Sequence, residues 1–276
     1  MDFAFPKTSI FWQTINFIFK SSFIQFDLSQ LGFVVFQEYL RVFLTSRVSF
    51  NGINANLIIS GAFGIYSKKA AINVGGYTPG VIGEDMEIIV KMHAFYRKNR
   101  LRYKMGYVAD AICWTQVPES IKVLMSQRRR WFIGMGQSLY NHWFIMLNPR
   151  YGNVGTIAYT YFFIFEYMAP IIELIGIAVI LLSFHLGIIN ASFMVIYIII
   201  YIGFNSIVSS ISVLLEKYMS GKHMSLEHTV KLLFFCLLES FGYRQLCSIF
   251  RLIATVSFKK KSWGNMVRTQ NMKEDN

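Results

Sequence analysis

Two long apolar runs in the second half of the chain constrain its fold more than any other feature. The run at 156–187 has Glu166 and Glu173 as its only charged residues, and the run at 188–215 has none. A helix of about 20 apolar residues crosses the hydrocarbon core of a bilayer. Both runs exceed that length, so they favour a membrane protein. The predicted spans lie at about 158–186 and 191–215.

A third apolar run, at about 230–256, is interrupted by four charged residues. The short, uncharged connection at 187–190 is typical of the non-cytoplasmic side of a membrane, because cytoplasmic loops are enriched in Lys and Arg. The basic N-terminal half is therefore predicted to be cytoplasmic. A full third crossing would place the basic tail at 259–276 outside. We therefore expect a broken, re-entrant or interfacial third segment that turns near 241–243.

The charge balance limits the partners of this chain. Lys and Arg number 27 against 15 acidic residues, in a chain that is 54% hydrophobic. This excess favours contact with anionic lipid headgroups or a phosphate-bearing ligand. The basic residues are dispersed and form no nucleic-acid motif, so no nucleic-acid partner is predicted. Three cysteines without paired spacing and five scattered histidines favour neither a disulfide framework nor a metal site.

The first half of the chain alternates between strand-like and helix-like patterns. Glycines flank a short apolar run, a Gly- and Pro-rich loop follows it, and apolar residues then recur at helical spacing. Such alternation predicts an α/β domain, here followed by a transmembrane α-helical region. The predicted elements are strands at 56–66 and within 102–114, a loop at 73–85, and helices starting near 85 and near Pro118 and Glu119.

Three groups of residues are candidates for chemistry. Glu84 and Asp85 follow a flexible loop at a predicted helix start, where the helix dipole stabilises a carboxylate. Asp85 is interpreted either as a general base or as an ordinary N-terminal acid. At Ser60 and Gly61, small side chains would let a ligand approach the backbone, although tight strand packing is the better explanation of this stretch taken alone.

The third group is the stretch QRRRW at 127–131. Gln127, Arg130 and Trp131 stand at i, i+3 and i+4, so they are predicted to share one helix face, with Arg128 and Arg129 pointing elsewhere. A guanidinium fork suits a phosphate, and an indole face suits a sugar ring. A basic collar at the membrane interface is the alternative interpretation.

Taken together, these stretches resemble the processive, membrane-embedded family-2 glycosyltransferases, which include cellulose, hyaluronan, chitin and poly-N-acetylglucosamine synthases. The resemblance runs from about 33 to 268. It rests on FQEYLR, SGAFG, GGYTPGVIGED, TQVPES, QRRRW and the WGNMVR tail, in that order.

The resemblance implies a fold and a location. It implies the C-terminal part of a cytoplasmic GT-A-type α/β catalytic domain at 33–150 and transmembrane or interfacial helices at 151–258. A basic cytoplasmic tail would follow at 259–276, and the apolar segment 1–32 is assigned to no domain. The protein is expected to be a multi-pass protein of the cell membrane.

The resemblance also implies a reaction. Family members transfer a sugar, with inversion, from a nucleotide-diphosphate donor such as UDP-glucose or UDP-N-acetylglucosamine to a growing glycan. Asp85 matches the family's catalytic base, with Glu84 beside it. Gln127, Arg130 and Trp131 match the family motif in which Arg contacts the pyrophosphate and Trp supports the acceptor. A Mg²⁺ or Mn²⁺ cofactor is expected for the family.

The chain departs from the family in one respect. Family members carry a uridine-binding aspartate and an Asp-x-Asp metal motif upstream, but none of the five aspartates here are spaced in that way. We therefore expect either a split enzyme, whose donor-binding half is supplied by a second polypeptide, or a truncated and inactive product that lacks this half. A non-catalytic membrane pore or scaffold derived from such an enzyme is the alternative, so enzymatic activity of this chain alone stays open.

Overall fold

The computed structural model describes residues 30–59, 61, 64–107, 118, 120–220 and 226–256. Most of the segment 1–32, Ser60 and the tail 259–276 lie outside these residues. The main helices are α1 (Gln30–Leu40), α2 (Lys68–Asn73), α3 (Glu84–Lys98), α4 (Ile121–Asn141), α5 (Ala169–His185), α6 (Ala191–Ser220), α7 (Leu226–Leu238) and α8 (Arg244–Val256). Shorter helical segments are Arg41–Arg47, Val48–Gly52, Trp143–Ile145, Pro149–Tyr151, Val154–Ala158, Tyr159–Tyr161, Phe162–Tyr167 and Glu239–Tyr243.

No strand occurs among the described residues, so the predicted α/β organisation is not seen in them. Side chains, rather than a strand ladder, bind the backbone of 103–107. Asn54 Oδ1 accepts from Met105 N at 2.8 Å, and Asn51 Oδ1 accepts from Tyr107 N at 2.9 Å. Because these asparagines satisfy backbone donors, the segment is held in place without strand pairing.

Helix α4 begins later than the sequence predicted. Ser120 has an extended backbone and is its N-cap, because the serine side chain accepts a hydrogen bond from Val123 N. Serine is among the preferred N-cap residues. Glu119 lies outside the described residues, and Pro118 precedes the helix, which starts at Ile121 and not at the predicted position.

One buried core joins the first half of the chain to the first membrane segment. Met86 and Val90 of α3 pack in the same cluster as Val154 and Tyr159, which precede α5. All four side chains are at least 95% buried, with relative exposures of 3%, 0%, 0% and 1%. The first turns of the membrane segment therefore belong to the core of the preceding domain.

Among the described residues of the second half, two helical stretches are long and apolar enough to cross a membrane, Ala191–Leu215 and Thr229–Ala254. A bent pair, Val154–Tyr167 and Ala169–His185, adds a third if it acts as one span; its two parts meet at 46°. Many large apolar side chains of α5 and α6 are exposed, as expected for surfaces that face lipid.

The third apolar run is not a straight helix. Its backbone leaves helical geometry at Phe241 (φ −111°, ψ 92°) and at Gly242 (φ 95°, ψ −49°). The positive φ of Gly242 is a conformation that glycine adopts without a steric penalty. Gln245 Oε1 accepts from Gly242 N at 2.9 Å, which satisfies the donor that the break exposes. A re-entrant or interfacial path for this segment stays a prediction.

His93 ties α3 to the segments on either side of it. Its Nε2 lies 2.9 Å from the Asn56 carbonyl oxygen and its Nδ1 lies 2.6 Å from the Tyr103 hydroxyl. Tyr103 also accepts a hydrogen bond from Arg97 Nε at 2.9 Å, so its hydroxyl proton is available to His93 Nδ1. Burial lowers the pKa of His93 to about 4, and the nearby Arg97 charge acts in the same direction, although the bond to Asn56 opposes it.

This arrangement predicts a loss of stability in mild acid. Since the folded pKa of about 4 lies below the ordinary value of 6.5, the unfolded chain binds the proton first. The stabilisation that arises from the lowered pKa of His93 is therefore present above pH 6.5 and is lost as the pH falls towards 4. We expect a decrease of about 2 kcal/mol in the free energy of unfolding between pH 7 and pH 5. Denaturant unfolding in lipid nanodiscs at the two pH values measures it, and a His93→Gln variant with the same pH dependence would contradict it.

Candidate functional site

Asp85 lies in the first turn of α3, and two backbone groups fix its carboxylate. Oδ2 accepts from Gly61 N at 3.1 Å, and Oδ1 accepts from Met86 N at 2.8 Å. The α3 N-terminus adds the favourable end of the helix dipole. The structure thus brings Gly61 and Asp85 together, two residues that the sequence marked separately. Glu84, the other acid of the pair, is half-buried at the same helix start.

A tyrosine beside the acidic pair was not anticipated from the sequence. Burial raises the pKa of Tyr66 to about 12, and the charges of Tyr77, Asp85 and Glu84 act in the same direction. Tyr66 therefore keeps its hydroxyl proton at neutral pH and is a donor near the carboxylates. Tyr66 directly follows SGAFGI, and no feature of that sequence indicates that its side chain lies near the acidic pair.

A buried arginine whose charge acts on Asp85 was also not anticipated from the sequence. Arg47 is 7% exposed and donates a hydrogen bond to the Ile58 carbonyl oxygen. Burial lowers the pKa of its guanidinium, and the charges of Glu166 and Asp85 oppose that shift. Arg47 therefore places positive charge near Asp85. It precedes Asp85 by 38 positions in the sequence, and nothing in the local pattern connects the two.

Two glycines set the distance between the acidic pair and the QRRRW helix. A Cβ on Gly83 would lie 2.9 Å from the backbone of Gly134, and a Cβ on Gly134 would lie 2.7 Å from the backbone of Gly83. Real Cβ atoms essentially never come that close to another backbone. The loop before α3 and the middle of α4 therefore touch main chain to main chain. Arg130 and Trp131 lie within about one helical turn of this contact.

Polar contacts hold the same two elements together. Ile82 N donates to Gln137 Oε1 of α4 at 2.8 Å. Glu87 Oε1 lies 3.0 Å from His142 Nε2 and accepts from Thr78 Oγ1 at 3.2 Å. Burial raises the pKa of Glu87, but His142 and Thr78 outweigh it and hold that pKa below its ordinary value. These buried or partly buried hydrogen bonds join the GGYTPG loop, α3 and the end of α4.

The QRRRW stretch lies in α4, but its side chains are arranged differently from the prediction. Gln127 is buried, Trp131 is 45% exposed, and Arg130 is half-buried. The guanidinium that stacks on the Trp131 ring belongs to Arg128, at 4.8 Å from the ring centroid. The expectation that Arg128 points away was wrong, because residues at i and i+3 on a helix are also neighbours.

Arg128 is held by an acidic residue from α1. Its Nη2 lies 2.5 Å from Glu38 Oε2, and the two side chains are 2% and 7% exposed. Glu38 Oε2 also accepts from the Tyr243 hydroxyl at 2.7 Å, and Arg251 Nη2 lies 3.7 Å from Oε1. Burial raises the pKa of Glu38, but the charges of Arg128 and Arg251 outweigh it and lower that pKa overall. Next to Glu38, Tyr39 donates to Gln127 Oε1 at 3.4 Å.

A polar cavity of about 250 Å³ opens beside this cluster, between α1, α5, α8 and the broken segment. Glu38, Glu166 and Glu173 line it together with Arg41 and Arg244. Both acidic residues of the first apolar run therefore face protein rather than lipid. Ionisable groups at membrane depth usually lie in such an environment.

The described residues contain no group of three or more His, Cys, Asp or Glu side chains that could hold a metal ion. Mg²⁺ is usually held by one or two carboxylates together with substrate phosphates.

Two curated bacterial synthases are similar to part of this chain. The poly-beta-1,6-N-acetyl-D-glucosamine synthase of Staphylococcus epidermidis is 34% identical over 106 residues, which are 38% of this chain and 24% of that protein. The synthase of the same name from Staphylococcus aureus strain COL is 33% identical over 93 residues, which are 33% of this chain and 21% of that protein. The chain therefore spans less than a quarter of the length of these relatives.

No solved structure matches the chain. The family model described as "Glycosyl transferase family group 2" matches residues 31–214, which are more than half of the chain and include the acidic pair, the QRRRW stretch and both long apolar runs. The chain belongs to glycosyl transferase family group 2.

Proposed function

We propose that this chain carries the acceptor-binding part and the general base of an inverting glycosyltransferase that lengthens a glycan at a membrane. The observation that carries the proposal is the packing of Gly83 on Gly134. This contact joins the helix start that bears Asp85 to the helix that bears Gln127, Arg130 and Trp131. Two backbone donors orient Asp85, as a base that must meet one particular hydroxyl requires.

In the proposed reaction, Asp85 takes the proton of an acceptor hydroxyl while the hydroxyl oxygen attacks the anomeric carbon of the donor sugar. A new glycosidic bond forms, and the bond between the anomeric carbon and the diphosphate oxygen breaks. Arg130 would offset the charge that develops on the leaving diphosphate. The exposed face of Trp131 would support the terminal sugar of the acceptor.

We propose UDP-N-acetylglucosamine as the donor and a chain of N-acetylglucosamine as the acceptor. Support comes from the relatives, which are named as poly-beta-1,6-N-acetyl-D-glucosamine synthases. UDP-glucose is the second donor to test. The uridine and metal sites would come from a part that carries Asp-x-Asp, which the printed sequence lacks. That part is either a further segment of a longer protein or a second polypeptide.

We also propose how the chain is placed relative to the cell membrane. The sites at 33–150 would form part of a GT-A-type α/β domain on the cytoplasmic side, and the helices at 151–258 would form a multi-pass region of the cell membrane. Two sufficiently long apolar stretches and a bent third one support the membrane region. The uncharged connection at 187–190 and the basic first half support the orientation.

The test is UDP release from UDP-N-acetylglucosamine and UDP-glucose by the chain in lipid nanodiscs, with Mg²⁺ or Mn²⁺ and an oligosaccharide acceptor. The assay is run with and without a separately produced polypeptide that carries Asp-x-Asp. We expect release when both parts are present and a preference for UDP-N-acetylglucosamine. The absence of release under both conditions would contradict the proposal and favour the pore or scaffold.

Arg130 offers a sharper prediction for the same assay. Arg130→Gln is expected to reduce kcat/KM for the nucleotide sugar about 100-fold, because one charge-assisted contact to the leaving group is lost in the transition state. Arg129→Gln removes the same charge from the neighbouring position of α4 and is the matched control. Equal losses in both variants would mean that only the general positive charge of α4 matters.

A further inference from the structure

The Trp131 side chain on α4 packs against buried charged residues. The Arg128 guanidinium stacks on the Trp131 ring at 4.8 Å and also lies 5.7 Å from the Tyr39 ring. The rings of Tyr39 and Trp131 are 6.0 Å apart. Trp131 is 45% exposed, whereas Arg128 is 2% exposed. The indole therefore has one face towards a buried cation and keeps much of its area open.

The buried cation is held by two partners at one nitrogen. Glu38 Oε2 lies 2.5 Å from Arg128 Nη2, and the Tyr243 hydroxyl lies 3.2 Å from the same nitrogen. Tyr243 also donates to that carboxylate oxygen, at 2.7 Å, so the two partners are bonded to each other. These bonds restrain the guanidinium, and the Trp131 ring packs against it.

We propose that Glu38 is a positioning residue for Trp131 and acts through Arg128. In this proposal, the Glu38–Arg128 pair sets the tilt of the indole so that its open face is presented to a sugar ring. The part of the proposal that concerns a sugar rests on the proposed function. The part that concerns the ring does not.

Glu38 also contacts the segment in which the third apolar run breaks. The residue is 5% exposed, its Oε2 accepts from both Arg128 and Tyr243, and Arg251 Nη2 lies 3.7 Å from Oε1. Tyr243 ends the segment Glu239–Tyr243, where the third apolar run breaks. Glu38 thereby links the Trp131 side of α4 to that break.

The test begins with a variant that keeps Trp131 as its single tryptophan, with the other four replaced by phenylalanine. Acrylamide quenching and the near-UV circular dichroism of Trp131 are measured in lipid nanodiscs. Glu38→Gln and Arg128→Met are expected to raise the quenching constant and to weaken the near-UV signal. Arg129→Met, which removes the same charge one residue further along α4, is expected to change neither. Unchanged spectra in Glu38→Gln and Arg128→Met would overturn the proposal.

A second variant guards against misfolding. Removing one partner of a buried ion pair leaves an uncompensated charge, whereas replacing both by apolar residues is often tolerated. The double variant Glu38→Met/Arg128→Met is therefore expected to fold and still to show the increased quenching. A folded double variant with parental quenching would overturn the proposal too.

The sugar is tested separately, by titrating the single-tryptophan chain with a β-1,6-linked N-acetylglucosamine oligosaccharide. We expect quenching of Trp131 to saturate, with a dissociation constant about tenfold higher in Glu38→Gln, which corresponds to the loss of a typical cation–π contact. In the complete enzyme, the acceptor KM should rise more than kcat falls. A ring that loosens in the variants but never responds to the oligosaccharide supports the positioning role and contradicts the proposed acceptor site.

Discussion

Asp85→Asn is expected to reduce sugar transfer by about 10²- to 10⁴-fold, the range that a positioned general base contributes. Asparagine has nearly the same shape and its amide oxygen can still accept from Gly61 N or Met86 N, so the fold should survive. It has no basic oxygen to take the hydroxyl proton. The loss is expected in kcat, with little change in the affinity for the nucleotide sugar, and initial rates of UDP release at saturating donor measure it.

Glu84→Gln is the matched control, because it removes one carboxylate charge from the same helix start. We expect it to retain activity within about tenfold of the parent, since its contribution is limited to the local electrostatic field. If Glu84→Gln were as inactive as Asp85→Asn, the charge of the acidic pair, and not proton transfer to Asp85, would be the essential property. Full activity in Asp85→Asn would remove Asp85 from the role of base.

Gly134→Ala is expected to have the second largest effect. Its new Cβ would lie 2.7 Å from the N and Cα atoms of Gly83, and backbone atoms cannot yield as a flexible side chain can. Overpacking of this kind costs about 1–3 kcal/mol. The loop before α3 would also move relative to α4, and a displacement of about 1 Å at a reacting centre can cost about 100-fold in rate. Thermal unfolding and UDP release in the same nanodisc preparation measure the two effects.

Gly203→Ala provides the comparison, because a Cβ at that position of α6 would meet no atom within 4 Å. Alanine is a better helix former than glycine, so this change is expected to be neutral or slightly stabilising in the assay. A Gly134→Ala variant that unfolds at the parental temperature and turns over normally would show that α3 and α4 separate without consequence. The contact would then not determine the site.

The sequence was most informative where a pattern is local. The helix predicted from 85 is α3, which begins at Glu84, and the flexible loop before it carries the three glycines with positive φ at 75, 76 and 80. The sequence also predicted a turn near 241–243, and the helix breaks there, at Phe241 and Gly242. Recognition of a family-2 glycosyltransferase, built on the order of several short motifs, is confirmed by the match over residues 31–214.

The sequence was least informative where two distant parts meet. Helical spacing allows Trp131 to contact a residue three or four positions earlier in α4. The residue that does so is Arg128, because Glu38, which is 90 positions before Arg128 in the sequence, binds its guanidinium. The contact between Gly83 and Gly134 is equally long-range, and each glycine alone is compatible with an ordinary loop or helix. The predicted strands depend on pairing partners, and the described residues provide asparagine side chains instead.

The shared core of α3 and the first membrane segment makes bilayer thickness relevant to the acidic pair. A membrane helix that is too long for its bilayer responds by tilting. The segment that follows Val154 and Tyr159 cannot tilt freely, since these side chains are locked against Met86 and Val90. If the bent pair spans the bilayer, a thinner or thicker membrane would therefore strain the helix that carries Asp85, and lipid acyl-chain length would affect the geometry of the proposed base.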